Sequence, residues 1–123
     1  MSQAQRVVEP YPAAPLLALD TLWLQVAGTL CNLSCTHCFI SCSPTNATHG
    51  MMTLDQVRAH LADAAALGVR EYYFTGGEPF LNRDIFEMIA AGLAQGPVSI
   101  LTNGVLIRKE TAARLRALAD ASE

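Results

Sequence analysis

Cys31, Cys35 and Cys38 stand at C-x3-C-x2-C spacing within Cys31-Asn32-Leu33-Ser34-Cys35-Thr36-His37-Cys38. Thiolates this close in the chain can converge on one metal centre, and thiolate is the usual protein ligand of iron-sulfur clusters. A cube of four irons and four sulfides has four corners, so three protein ligands leave one iron open to bind and activate another molecule. Catalysis needs such an open corner. A second candidate is Thr75-Gly76-Gly77-Glu78-Pro79, where the paired glycines let the main chain approach a ligand without an intervening Cβ. The N–H and C=O groups exposed there suit an amino-acid zwitterion. Thr102-Asn103-Gly104 is a weaker candidate, because a turn of that composition requires no ligand.

Each motif follows an apolar run of strand length. Leu22-Trp23-Leu24-Gln25-Val26-Ala27 precedes the cysteines and is nearly continuous, as expected of a strand covered on both faces. Val69 to Phe74 precedes the paired glycines, and Val98 to Thr102 leads into Asn103-Gly104. Between the first two runs, Thr53-Leu54-Asp55-Gln56 is a capping-box pattern that predicts a helix start. Leu54, Val57, Leu61, Ala64 and Leu67 then make one apolar face, and Gly68 sits where a left-handed C-terminal cap is wanted. Ile85, Met88, Ile89 and Leu93 predict a second helix beginning near Asn82 to Asp84, and Ala112, Leu115 and Leu118 a third from about Arg108 to Ala119. Three successive strand-helix units joined by right-handed crossovers predict an α/β fold with a parallel sheet. Active groups in such sheets gather at the C-terminal ends of the strands, which would put all three motifs on one rim.

The 123 residues allow one domain at most, and 51% apolar content suffices for a modest core. A net charge of -3 with scattered Lys and Arg leaves no footprint for nucleic acid. The stretch from Ala13 to Ala27 is broken by Pro15, Asp20 and Gln25, so neither a secretory core nor a membrane span fits there. All four cysteines lie between Cys31 and Cys42, where disulfides would staple almost nothing. Metal ligation in a reducing compartment, the cytoplasm, is the better reading. Residues 1–20, with Pro10, Pro12 and Pro15, read as an irregular lead-in.

From about Trp23 to Ile107 the cysteine spacing, with Phe74-Thr75-Gly76-Gly77-Glu78-Pro79 at the second strand end, resembles the radical S-adenosylmethionine (radical SAM) enzymes. The resemblance implies that Cys31, Cys35 and Cys38 ligate a [4Fe-4S] cluster and that S-adenosylmethionine chelates the open iron through its amino and carboxylate groups. Reductive cleavage of the cofactor would then yield a 5′-deoxyadenosyl radical that abstracts hydrogen from a substrate. It further implies that Gly76, Gly77, Glu78 and Pro79 hold the methionyl amino group, with the Glu78 carboxylate as one candidate contact, and that Thr102 and Asn103 are further cofactor contacts. The position before the last cysteine is usually aromatic in that family and packs near the adenine; here it is His37, whose flat imidazole can stack. An electron donor such as flavodoxin or ferredoxin is implied as partner. The Cys-Asn-Leu-x-Cys run looks most like the branch that modifies peptides or matures cofactors.

That family's core is a partial barrel of six strand-helix units, so residues 21–123 would form its N-terminal half, the first part of a partial (β/α)6 TIM-like barrel. The expectation is therefore a fragment, or a chain needing a partner, that assembles the cluster without turning over by itself. Two alternatives stay open. One is an iron-sulfur electron-transfer module using all four cysteines, Cys42 included; the other is a structural zinc site, with or without His37.

Overall fold

In the computed structural model, which describes residues 12–122, three strands alternate with three α-helices. They are β1 (Thr21–Gln25), α1 (Leu54–Ala66), β2 (Glu71–Thr75), α2 (Ile85–Leu93), β3 (Val98–Ile100) and α3 (Lys109–Ala121), with a short 3-10 turn at Pro79–Leu81 between β2 and α2. The sheet is wholly parallel in the order β1-β2-β3. Trp23 pairs with Tyr73 and Leu24 with Phe74, and Phe74 pairs onward with Ile100. This is the predicted α/β architecture of consecutive strand-helix units. Residues 12–20 carry no helix or strand, and the first eleven residues of the expected lead-in lie outside the described residues.

Local chemistry accounts for the elements. The capping box at the start of α1 is present in full: the Gln56 amide N–H donates to Thr53 Oγ1 at 3.2 Å and the Thr53 N–H to Gln56 Oε1 at 2.9 Å. Gly68 takes φ +83°, beyond the reach of most L residues without strain, and lets the chain turn from α1 towards β2. Thr53→Ala is expected to cost about 1 kcal/mol, read as a lower urea midpoint at unchanged slope.

The core lies between the sheet and its helices. Val57, Leu61 and Ala64 of α1, with Ile85, Met88 and Ile89 of α2, cover Leu24, Tyr72 and Phe74. The α3 helix has no buried residue and attaches through Leu115 and Leu118, with the Arg114 guanidinium 3.7 Å from the centre of the Phe86 ring. The expectation that β1 is covered on both faces fails. Trp23 is 55% exposed and stacks on Tyr73 with ring centres 4.6 Å apart, so the face opposite the helices carries aromatic residues without a layer over them among the described residues. A Leu-Trp-Leu run satisfies hydropathy at every position, and hydropathy alone hides this alternation.

Candidate functional site

The chain leaves β1 into a long loop whose base is fastened before the cysteines begin. Leu30 and Ser43 form an isolated parallel bridge, the Cys31 N–H donates to the Ser43 carbonyl at 3.1 Å, and the Ser43 N–H to the Thr29 carbonyl at 3.3 Å. Thr29 is buried although polar: its Oγ1 donates to the Asn46 carbonyl at 3.2 Å and accepts from the His49 N–H at 3.1 Å. Within the loop, the Cys38 N–H donates to the Cys35 carbonyl and the Ser41 N–H to the Cys38 carbonyl, which coils the chain around the thiols.

The turn after β2 docks directly on this loop. The Gly77 N–H donates to the Gly28 carbonyl at 2.9 Å and the Glu78 N–H to the Leu30 carbonyl at 3.1 Å. Contact there is so close that a Cβ on Gly77 would lie 1.9 Å from the Leu30 oxygen. The Gly76 and Gly77 carbonyls accept no hydrogen bond among the described residues. Asn82, which sequence reasoning placed only near a helix start, is 3% exposed and binds the rim together. Its Nδ2 donates to the Val26 and Met52 carbonyls, each at 2.9 Å, and its Oδ1 accepts the Asp84 N–H at 3.0 Å.

These contacts bring the strand-end motifs to one rim. A cavity of about 150 Å³ is lined by Cys31, Cys35, Cys38 and Cys42, by Gly76 and Gly77, by Asn103, and by the apolar side chains of Leu33, Phe39 and Ile40. Cys31 and Cys42 are buried, Cys38 is half-buried and Cys35 is exposed. Among the described residues no three His, Cys, Asp or Glu side chains stand close enough to hold a single metal ion. The Cys42 N–H donates to Cys38 Sγ at 3.4 Å and, with the Ile40 amide, holds the Cys38 thiol below its ordinary range. Burial first, then the charge of Cys38, pushes the Cys42 thiol up to about 11.

Four other expected site residues stand off the cavity lining. His37 is exposed, with Nδ1 3.4 Å from the Thr36 hydroxyl. Pro79 is buried at the head of the 3-10 turn. Glu78 is fully buried, and its carboxylate accepts the Thr102 hydroxyl and the Asn103 N–H, so Thr102 meets the rim through Glu78. Phe39 was missed by sequence reasoning. It is 94% exposed while lining the cavity, and the available signal was a large apolar residue directly after the last cysteine of the triplet.

The model of the radical SAM superfamily matches residues 26–122. Curated relatives include an AdoMet-dependent heme synthase of Methanosarcina barkeri, 34% identical over 96 residues, covering 77% of this chain and 27% of the relative. A GTP 3′,8-cyclase of Synechococcus sp. is 37% identical over 113 residues, covering 77% of this chain and 32% of the cyclase. The chain thus spans about a quarter to a third of the length of these relatives. Among solved structures, that of BtrN in an open conformation matches with a TM-score of 0.61 at 19% identity, over 84% of this chain and 48% of BtrN, and shares its fold. The rim of cysteines and glycines at the ends of parallel strands thus sits inside a matched stretch that covers most of the sequence, and the chain belongs to the radical SAM superfamily.

Proposed function

We propose that the chain carries the cluster-binding and methionyl-binding part of a radical SAM enzyme. The superfamily uses a [4Fe-4S] cluster and S-adenosylmethionine. In this reading Cys31, Cys35 and Cys38 hold the cluster. The observation that carries it is the single cavity lined by these three thiols and by Gly76 and Gly77. An all-thiol donor set spread around a cavity suits a multi-iron body better than one tetrahedral ion, whose sulfurs must all lie about 2.3 Å from a common centre. When bound, cluster and cofactor together supply reductive cleavage of the sulfonium S–C bond and hence a radical able to take hydrogen from a substrate.

The chain's own residues bind and orient. The Gly76 and Gly77 carbonyls face no protein donor among the described residues and are suited to accept from the methionyl ammonium. Leu33, Phe39 and Ile40 give the cavity an apolar wall. In this reading the exposed His37 ring stacks on the adenine, while Pro79, which is buried, and Thr102, bonded to Glu78, shape the turn and the strand end that flank the methionyl group. Substrate and electron donor belong to the whole enzyme. Two curated relatives are named as a heme synthase and an Fe-coproporphyrin III synthase, which supports cofactor maturation over peptide modification as the reaction class.

One observation favours a second reading, an electron-transfer module: Cys42 lines the same cavity as the other three cysteines. Adding S-adenosylmethionine to the reduced, anaerobically reconstituted protein separates the two. A three-ligand cluster with an open iron is expected to change its electron paramagnetic resonance spectrum on addition of the cofactor. A spectrum that stays the same at saturating cofactor would count for four-cysteine ligation.

A further inference from the structure

Glu78 is the one buried carboxylate among the described residues, at 0% exposure, and its oxygens are already engaged. Oε1 accepts from Thr102 Oγ1 at 2.7 Å and from the Phe80 N–H at 3.2 Å, and Oε2 accepts from the Asn103 N–H at 2.9 Å. Two of these donors lie 24 and 25 residues further along the chain. The carboxylate therefore ties the end of β3 to the end of β2, and hydrogen bonds to a charged acceptor are among the stronger ones available for that purpose.

The segment so held carries Asn103, whose side chain crosses the rim to the first cysteine. Its Oδ1 accepts the Val105 N–H at 3.0 Å. Because a backbone N–H can only donate, that bond fixes which end of the amide is oxygen, and the nitrogen must point the other way. There Nδ2 donates to Asn32 Oδ1 at 2.8 Å and lies 3.8 Å from Cys31 Sγ, within range of an N–H···S contact.

We propose that Asn103 is a positioning residue for Cys31, donating its side-chain amide to the ligand sulfur, and that Glu78 sets this contact by pinning the Asn103 backbone. The inference rests on the reading of Cys31 as a cluster ligand. Hydrogen bonds to ligand sulfurs withdraw charge and stabilise the more negative, reduced form of an iron-sulfur cluster, which raises its potential. Asn103 thus makes the cluster easier to reduce, and Glu78 contributes indirectly through Asn103.

The test is a potentiometric series on the reconstituted protein, followed by electron paramagnetic resonance, with iron content measured alongside. Asn103→Ala is expected to retain the wild-type iron content and to lower the ratio of reduced to oxidised cluster on the order of tenfold at fixed potential. Glu78→Gln is expected to shift the ratio in the same direction, and to add little in the Asn103→Ala background, because both act through one contact. An unchanged ratio in Asn103→Ala overturns the proposal. A Glu78→Gln shift towards the reduced cluster, or equal shifts in both backgrounds, overturns the indirect role of Glu78, since loss of a negative charge by itself makes a nearby cluster easier to reduce. Asn103 is exposed, so its variant does not depend on Glu78→Gln folding. A Cys31→Ala protein that keeps its full iron content overturns instead the ligand reading beneath, and the two failures are told apart by iron content against potential.

Discussion

Changing Cys31, Cys35 or Cys38 singly to alanine is expected to abolish the brown four-iron species after anaerobic reconstitution, whereas Cys42→Ala should keep it. Three ligands are the fewest that hold a cube with one corner left open, so losing any one removes the anchoring and not merely a fraction of it. The cysteines differ in setting, since Cys31 is buried against the docked turn and Cys35 is exposed. Stability alone would therefore predict unequal damage, with Cys31→Ala worst and Cys35→Ala nearly silent. Uniform loss of iron across the three, with melting temperatures that differ, is the signature of shared ligation. Iron and sulfide analysis with the visible spectrum reads the first quantity, and thermal melting of the metal-free protein reads the second. Loss of the cluster in Cys42→Ala as well would move the assignment to the electron-transfer module.

Gly77→Ala is expected to be strongly destabilising, because the turn that carries it is docked on the cysteine loop. Its Cβ would lie 1.9 Å from the Leu30 oxygen, 2.4 Å from the Leu30 carbonyl carbon and 2.8 Å from Cys31 Cβ. Two of those three atoms are main chain and cannot swing aside, so the turn and the cysteine loop must separate. Separation would also weaken the bonds from the Gly77 and Glu78 N–H groups to Gly28 and Leu30. Overpacking together with the loss of two hydrogen bonds amounts to about 3 to 5 kcal/mol, a large share of the stability of a small domain. Gly50→Ala is the control, since a Cβ there meets nothing within 4 Å, and it should change stability by no more than about 0.5 kcal/mol. Chemical denaturation of both variants gives the comparison. Gly77→Ala unfolding at the same midpoint as Gly50→Ala would mean that the loop yields freely and that the docking is soft.

The alternation of strand and helix was legible because its signals are local. Thr53 and Gln56 lie within one turn of each other, and the apolar spacing of α1 and α2 repeats inside single elements. Parallel pairing then followed from the chirality of crossovers. Much of the rim was legible too, since the strand ends carry its cysteines and glycines. What could not be read are the contacts that lock the rim together. Asn82 acts on carbonyls 56 and 30 residues away, and nothing in its neighbourhood marks it as more than a residue near a helix start. Glu78 was read by resemblance as a candidate cofactor contact, while its donors on the β3 loop become apparent only once β2 and β3 are side by side. The open face of the sheet was hidden for a different reason. Trp23 and Tyr73 are apolar enough to be core, and only the placement of all three helices on the other side leaves them partly uncovered.

Trp23 is the only tryptophan in the chain, and it rests on Tyr73 directly across the β1–β2 pairing. The protein therefore carries a single indole, which can be excited selectively over its tyrosines, at the junction between its first two strands and half open to solvent. Its emission wavelength and quenching reflect whether those strands are paired, uncomplicated by a second indole. Light emitted there can also be lost to a nearby absorbing iron-sulfur chromophore. One optical trace can in this way follow both strand registry and the arrival of the metal, with no label added.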